Sequence, residues 1–280
     1  MAHKLKDLHL AFIGCGVMGE SMIAGLLKND LVDPANISAS HPRPERLQEL
    51  ADRHEIKTFT DNAVAAREIA GQSNSAIVIC VKPQRLERVL SDLSSVLHPD
   101  QLVISIVAGA TIEKLAEALG TAKIVRAMPN TPSQIGAGIT AWTCTVAVDE
   151  TERGHVREIL AALGKELFVE TENMIDMATS LSATGPTYIF MVMEALTDAG
   201  VHLGFSRDMA KELVQETMLG SVKFAMESHK HPAELRNMVT SPGGTSAEAI
   251  YQMEKGSLRT VLSKAVYAAY TRAVELGKKN

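Results

Sequence analysis

The feature that most constrains the fold lies near the start of the chain. Residues 8–13 (LHLAFI) form an apolar run of strand length. Gly14-Cys15-Gly16-Val17-Met18-Gly19 follows directly, and 21–27 then carries apolar residues at helical spacing. A strand, a three-glycine turn and a helix, in that order, is the context in which a dinucleotide fingerprint has physical meaning. Gly14 makes the tight turn, Gly16 lets backbone approach a pyrophosphate, and Gly19 lets the helix pack on the strand. The helix N-terminus, at Val17 and Met18, presents N–H groups and a positive dipole end to phosphates. The alternative is a turn that is glycine-rich for structural reasons only.

The next strand is predicted at 36–40. In NAD enzymes an acid about 20 residues past the glycines holds the ribose 2′-hydroxyl. Here that place is Ser40, followed by His41, Pro42 and Arg43. No carboxylate stands there to repel a 2′-phosphate, and Arg43 or Arg46 can pair with one. The expected cofactor is therefore NADPH, with NADH possible. The alternative places both arginines on the exposed face of the next helix.

At 280 residues the chain has room for one large or two moderate domains. A net charge of −5 without a basic block argues against a nucleic-acid surface. Cys15, Cys80 and Cys144 make no CxxC and no metal spacing, so no metal site is expected and a reducing cytoplasm fits. Cys15 sits inside the glycine turn, where oxidation would obstruct a cofactor; a small filler is the plainer reading. No signal peptide or membrane span is expected.

From residue 8 to about 170, strand-like and helix-like segments alternate. Strands are predicted at 76–81, 102–107 and 123–128, with one or two more in 138–148, and helices follow several of them. That rhythm implies an α/β Rossmann domain, a doubly wound and mostly parallel sheet, over 1–170. Ligands on such sheets bind beyond the carboxyl ends of the strands. Val81-Lys82-Pro83, Ala108-Gly109 and the Met128, Asn130 and Thr131 segment are thus candidate cofactor walls, or ordinary turn chemistry. From 171 to 280 the pattern becomes all-α, with helices predicted at 174–181, 186–203, 207–227, 247–254 and 258–276. Apolar residues nearly encircle the helix that starts at Pro186, which suggests deep burial or a subunit interface.

A second glycine turn, Ser241-Pro242-Gly243-Gly244-Thr245-Ser246, feeds a helix. Thr245 and Glu248 match a capping box, so the hydroxyls can serve only as a cap. Equally, Gly243 and Gly244 expose N–H groups at a helix start, a carboxylate receptor to which Ser241 and Ser246 add hydroxyls.

Six segments carry a resemblance that spans nearly the whole chain: FIGCGVMGE at the start, VKPQ at 81–84, SIVAGATIEKL at 105–115, RAMPNTP at 126–132, SATGPTYIF at 182–190 and VTSPGGTSAEAI at 239–250. In order and spacing the chain resembles the pyrroline-5-carboxylate reductases. The resemblance implies a Rossmann domain followed by a helical domain that dimerises, with a larger ring of dimers as a further possibility. It also implies hydride transfer from NAD(P)H to the C=N bond of a cyclic imino acid to give L-proline. It places the small-molecule substrate at Ser241, Gly243, Gly244, Thr245 and Ser246, with Ser246 as carboxylate donor or proton relay. Two departures stand out. Ser246 replaces the family's usual Thr, and Ser182-Ala183-Thr184 replaces Ser-Gly-Ser. His229 and His231 fall in a variable stretch and are expected to face solvent without a role.

An imine needs little acid–base machinery, whereas an alcohol needs a general base. The first long helix of the second half carries no lysine, which speaks against the runner-up reading, a reductase acting on a small hydroxy acid. Reduction of another cyclic imine stays open. A scaffold that senses NADPH without turnover would keep the first turn and lose the second, and here the second is intact.

Overall fold

The computed structural model of the protein describes residues 5–279. Among them, eight strands build one sheet. In chain order the elements are β1 (His9–Ile13), α1 (Val17–Lys28), β2 (Ile37–Ser40), α2 (Pro44–His54), β3 (Lys57–Phe59), α3 (Asn62–Arg67), β4 (Ser75–Ile79), α4 (Leu86–Ser94), β5 (Leu102–Ser105), α5 (Ile112–Leu119), β6 (Ile124–Met128), β7 (Gly138–Cys144), α6 (Glu150–Ala161) and β8 (Gly164–Phe168). The spatial order is β3-β2-β1-β4-β5-β6-β7-β8. Every neighbouring pair is parallel except β6–β7. This is the expected doubly wound sheet.

Alternation along β1 explains why a continuous apolar run suits a central strand. Leu10 and Phe12 face one core with Met22, Ile23 and Leu26 of α1. Ala11 and Ile13 face the other with Ala65, Ala66, Leu86, Leu90 and Leu93. Both faces are covered by helices, so no position needs to be polar. Parallel pairing also puts the ends of β1, β2, β4, β5 and β6 on one edge, where the loops meet.

Several boundaries differ from the sequence reading. The strand predicted at 76–81 stops at Ile79, because Val81 leaves the ladder to pack over Gly14. That at 102–107 stops at Ser105, where the Ser105 hydroxyl accepts from the Val107 amide at 3.3 Å and turns the chain. The stretch 138–148, expected to hold one or two strands, holds one. The sequence pattern does not predict β3 or β8. Both are edge strands, and their largely half-buried or exposed residues give a weak apolar signal.

The helices of the second half are α7 (Asn173–Ala178), a π turn at Thr179–Ala183, α8 (Gly185–His202), α9 (Arg207–Ser228), α10 (Pro232–Met238), α11 (Thr245–Lys255) and α12 (Leu258–Lys279). The chain forms two compact units. One runs to Thr184 and takes in the stretch from Ala269 onward; the other is Gly185–Ala268. This division differs from the 170/171 boundary expected from periodicity. Ile175 of α7 is buried with Met128, Ala141 and Val169, which binds α7 to the sheet despite its helical pattern. Within the helical unit α8 packs on α9, and Gly200 allows the approach, since a Cβ there would lie 2.9 Å from that of Ala210. Ala210 is the one fully buried apolar residue described in 185–268. Ile189, Phe190, Met191, Leu196 and Leu203 of this unit all lie exposed in the single chain.

Candidate functional site

The first turn is built as its sequence requires. Gly14 has φ +76°, and a Cβ there would sit 2.0 Å from Val81 Cγ1. Gly19 lies against two sulfurs: a Cβ would stand 2.8 Å from Cys80 Sγ and 3.1 Å from Cys15 Sγ. Over Gly16 the space is open, with Gly14 O at 4.0 Å the nearest atom. Gly16 is the N-cap of α1 and no side chain caps the helix. The Glu20 amide is the first to find a helical acceptor, Gly16 O at 3.0 Å. Val17, Met18 and Gly19 are thus the amides that a helix start leaves for a ligand.

Ser40 is fully buried, and its hydroxyl is committed inside the protein. It accepts from the Gly14 amide at 3.0 Å and donates to Asn62 Oδ1 at 2.7 Å; the Ser40 carbonyl accepts from the Cys15 amide at 2.7 Å. Asn62 Nδ2 in turn donates to Asp92 Oδ2 at 2.8 Å. Ser40 therefore braces the glycine turn, a correction to its expected place on the ribose. Asn62 escaped the sequence reading because nothing local connects it to β2.

The two arginines separate. Arg46 pairs with Glu20 of α1 and with Glu49 at 2.9 Å, and its side chain is 13% exposed. Arg43, the N-cap of α2, is exposed, and its guanidinium takes no ion pair among the described residues. Its amide donates to His41 Nδ1 at 3.1 Å. Burial, and then the charge of Arg43, lower the His41 pKa below its ordinary value.

The remaining walls line the same edge. Val81 is half-buried on Gly14, Lys82 is exposed, and Pro83 opens a short 3-10 turn. Ala108 and Met128 pack into one cluster with Ala183. Gly109 is covered by the last helix, where a Cβ would lie 2.9 Å from the Leu276 carbonyl carbon, so helix packing accounts for that glycine. Asn130 Oδ1 accepts from the Ile139 amide at 3.0 Å, and Thr131 opens another 3-10 turn. Cys15 is buried, and desolvation pushes its thiol up to about 12; burial raises Cys80 as well. Both behave as packing residues.

The second turn belongs to the helical unit. The Gly244 amide donates to Ser241 O at 3.0 Å, with Pro242 and Gly243 (φ +71°) between them. A positive-φ Gly at the third position is what a type II turn requires, and Pro at the second is common there. Gly244 is the N-cap of α11 and lacks a side chain to cap with. The Thr245–Glu248 capping box does not form, because the turn brings the helix in one residue early and makes Thr245 its first residue. The hydroxyls of Ser241, Thr245 and Ser246 have no hydrogen-bond partner among the described residues. Ser241 and Gly243 are exposed and Ser246 is half-buried. His229 and His231 are exposed; His231 Nδ1 accepts from the Ala233 amide at 3.2 Å and caps α10.

An uncapped helix start under an open glycine, with a free arginine past β2, fits a dinucleotide bearing a 2′-phosphate. Fold and site together define an NADP-dependent oxidoreductase with a helical second half. Residues 9–109 match the family model described as NADP oxidoreductase coenzyme F420-dependent, and 172–276 that described as pyrroline-5-carboxylate reductase dimerisation. The chain is 36% identical over 273 residues to a pyrroline-5-carboxylate reductase of Synechocystis, covering 98% of this chain and 100% of that relative. A solved pyrroline-5-carboxylate reductase from Coxiella burnetii matches at 36% identity with TM-score 0.85, covering 96% of this chain and 98% of that one. One from Plasmodium falciparum with NADP bound matches at 31% and 0.88, covering 98% and 99%. The chain belongs to the pyrroline-5-carboxylate reductase family, oxidoreductases acting on the C=N bond in proline biosynthesis, and carries its dimerisation domain.

Proposed function

We propose that the protein reduces Δ1-pyrroline-5-carboxylate to L-proline with NADPH, holding the substrate carboxylate at the 241–246 turn. The observation that carries this is the start of α11, an uncapped helix N-terminus beside three hydroxyls without partners. When bound, NADPH supplies the hydride that goes to the C=N carbon, while a proton on the nitrogen completes the amine. The protein's own task is alignment, because a protonated imine is already electrophilic and two ligands held at near-attack distance need little else. Amides at Val17, Met18 and Gly19 take the pyrophosphate, and Arg43 takes the 2′-phosphate. The amides of Thr245 and Ser246 and the Ser246 hydroxyl take the carboxylate. Ser246 acts as a donor to that group rather than as a proton relay. The absence of lysine from α8 supports imine over alcohol chemistry.

The helical unit serves as the homodimer interface, on the strength of its exposed apolar helices, and dimers can assemble into a larger ring. Three free thiols support a cytoplasmic setting, and a net charge of −5 without a basic block supports a surface that does not take nucleic acid. Among the described residues no helix is long and apolar enough to cross a membrane. The decisive assay mixes protein, reduced cofactor and imine, and follows loss of reduced-cofactor absorbance. Turnover with NADPH and the five-membered imino acid is expected. No turnover with either cofactor would refute the reading.

A further inference from the structure

Glu20 sits one residue beyond the third glycine, in the first turn of α1. Its side chain is 15% exposed, and it collects three donors from α2. Arg46 Nη2 bonds Oε2, while Arg53 Nη1 at 2.5 Å and His54 Nε2 at 3.2 Å share Oε1. Arg46 and His54 are themselves 13% and 9% exposed, so two of the three contacts are shielded from water. Solvent-exposed pairs contribute little, but shielded, charge-assisted bonds of this kind fix geometry. Leu47 and Leu50 are the apolar side chains that α2 buries, and this carboxylate is its main polar tie to the rest of the fold.

The location gives the tie a consequence. A bare carboxylate here would repel a pyrophosphate arriving at the start of α1. Three donors on it remove that repulsion. The same bonds hold Arg46 against α1, one turn along α2 from Arg43, and leave Arg43 exposed at the end of β2. Burial resists the charge on Glu20, yet the hydrogen bonds from Arg46 and His54 and the charges of Arg46 and Arg53 hold its carboxyl below the ordinary value. It is an anion at neutral pH.

We propose that Glu20 is a positioning residue for cofactor discrimination: it ties α2 to α1 so that Arg43, and not Arg46, reads the 2′-phosphate. The inference rests on the reading of the first turn as the NADPH site. Glu20 touches neither cofactor nor substrate. Its loss lets α2 shift and costs Arg43 its aim, a penalty that NADH, lacking the phosphate, does not share.

The test compares the parent, Glu20→Gln, Arg43→Ala and the double variant, with NADPH and NADH as separate cofactors. Glu20→Gln is expected to raise KM for NADPH about tenfold, the equivalent of one lost moderate contact. KM for NADH, KM for the imine and kcat should hold. Arg43→Ala should lower the NADPH preference at least as much, and the double variant should match Arg43→Ala alone, because both changes remove one function. Glu20→Asp, which keeps the charge, should recover part of the preference. A Glu20→Gln effect that is equal for both cofactors, absent, or in favour of NADPH overturns the inference, as does additivity in the double variant. If Arg43→Ala leaves the preference unchanged while Gly16→Val abolishes NADPH binding, the positioning role alone fails. If neither matters, the NADPH site itself is misplaced. Should Glu20→Gln not fold, His54→Gln removes one tie, and the same split between cofactors is required of it.

Discussion

The Gly14 amide donates to the Ser40 hydroxyl at 3.0 Å, joining the first turn to the end of the second strand. Through Asn62, that hydroxyl also ties the turn to α3. Ser40→Ala leaves the Gly14 N–H and the Asn62 carbonyl oxygen without their partner. A loss of about 1–3 kcal/mol is expected, or roughly 2–4 °C in Tm for each kcal/mol. The ratio of kcat/KM for NADPH and NADH should stay put. A changed ratio with unchanged Tm would put Ser40 on the ribose after all.

Ser246 and Thr245 separate substrate binding from helix stability. On the proposed carboxylate role, Ser246→Ala removes one hydroxyl contact to a charged group, about 1.5–3 kcal/mol. In steady-state kinetics kcat/KM for the imine should fall roughly 10- to 150-fold, and KM for NADPH should barely move. Thr245 makes no cap bond, so Thr245→Ala should cost under about 0.5 kcal/mol. Parent-like turnover by the Ser246 variant would leave only the backbone amides as the carboxylate site.

Cys15 should be inert. Burial raises its thiol to about 12, and Cys80 and Cys144 are raised by burial too. The thiolate is the nucleophile, so all three stay protonated at pH 8. Mass spectrometry after a short exposure to iodoacetamide should find the native protein unmodified and the denatured chain carrying three adducts. Rapid native labelling at Cys15 would mean that the turn opens.

The acid limb of stability should depend on Glu20. Its carboxyl has a folded pKa below the ordinary 4.5. The group therefore contributes stability fully above the unfolded value, and that contribution fades as pH falls through the folded one. Thermal midpoints of the parent and Glu20→Gln should differ most near neutrality and converge in acid below pH 4.5. A gap that stays constant across that range contradicts the linkage.

The exposed face of α8 should be covered in solution. Phe190 and Met191 are 56% and 65% exposed in the single chain, more than an unpartnered helix keeps beside so small a core. Light scattering at micromolar concentration should give a dimer or a multiple of it, and Phe190→Glu should shift it toward monomer. A well-behaved parent monomer would end this reading.

Much of this was legible in the residues. Three glycines between an apolar strand and an amphipathic helix already specify the turn, because they permit the tight bend and leave the amides of the helix start without a side-chain cap. Alternating βα periodicity marked the sheet, and unbroken helical spacing marked the second half. Tertiary structure alone decided the rest. Nothing within 36–46 says which arginine is free; Glu20, on another helix, decides it by occupying Arg46. Ser40 looked like a ribose ligand until Gly14 and Asn62 claimed its hydroxyl. The edge strands β3 and β8 have weak patterns and exist because a neighbour supplies hydrogen bonds. Thr245 satisfies the capping pattern, yet the type II turn at Pro242-Gly243 starts the helix one residue early and hands the cap to Gly244. Local pattern fixes which conformations are cheap, whereas the partners of a polar side chain are set by whatever distant element the fold brings within 3 Å.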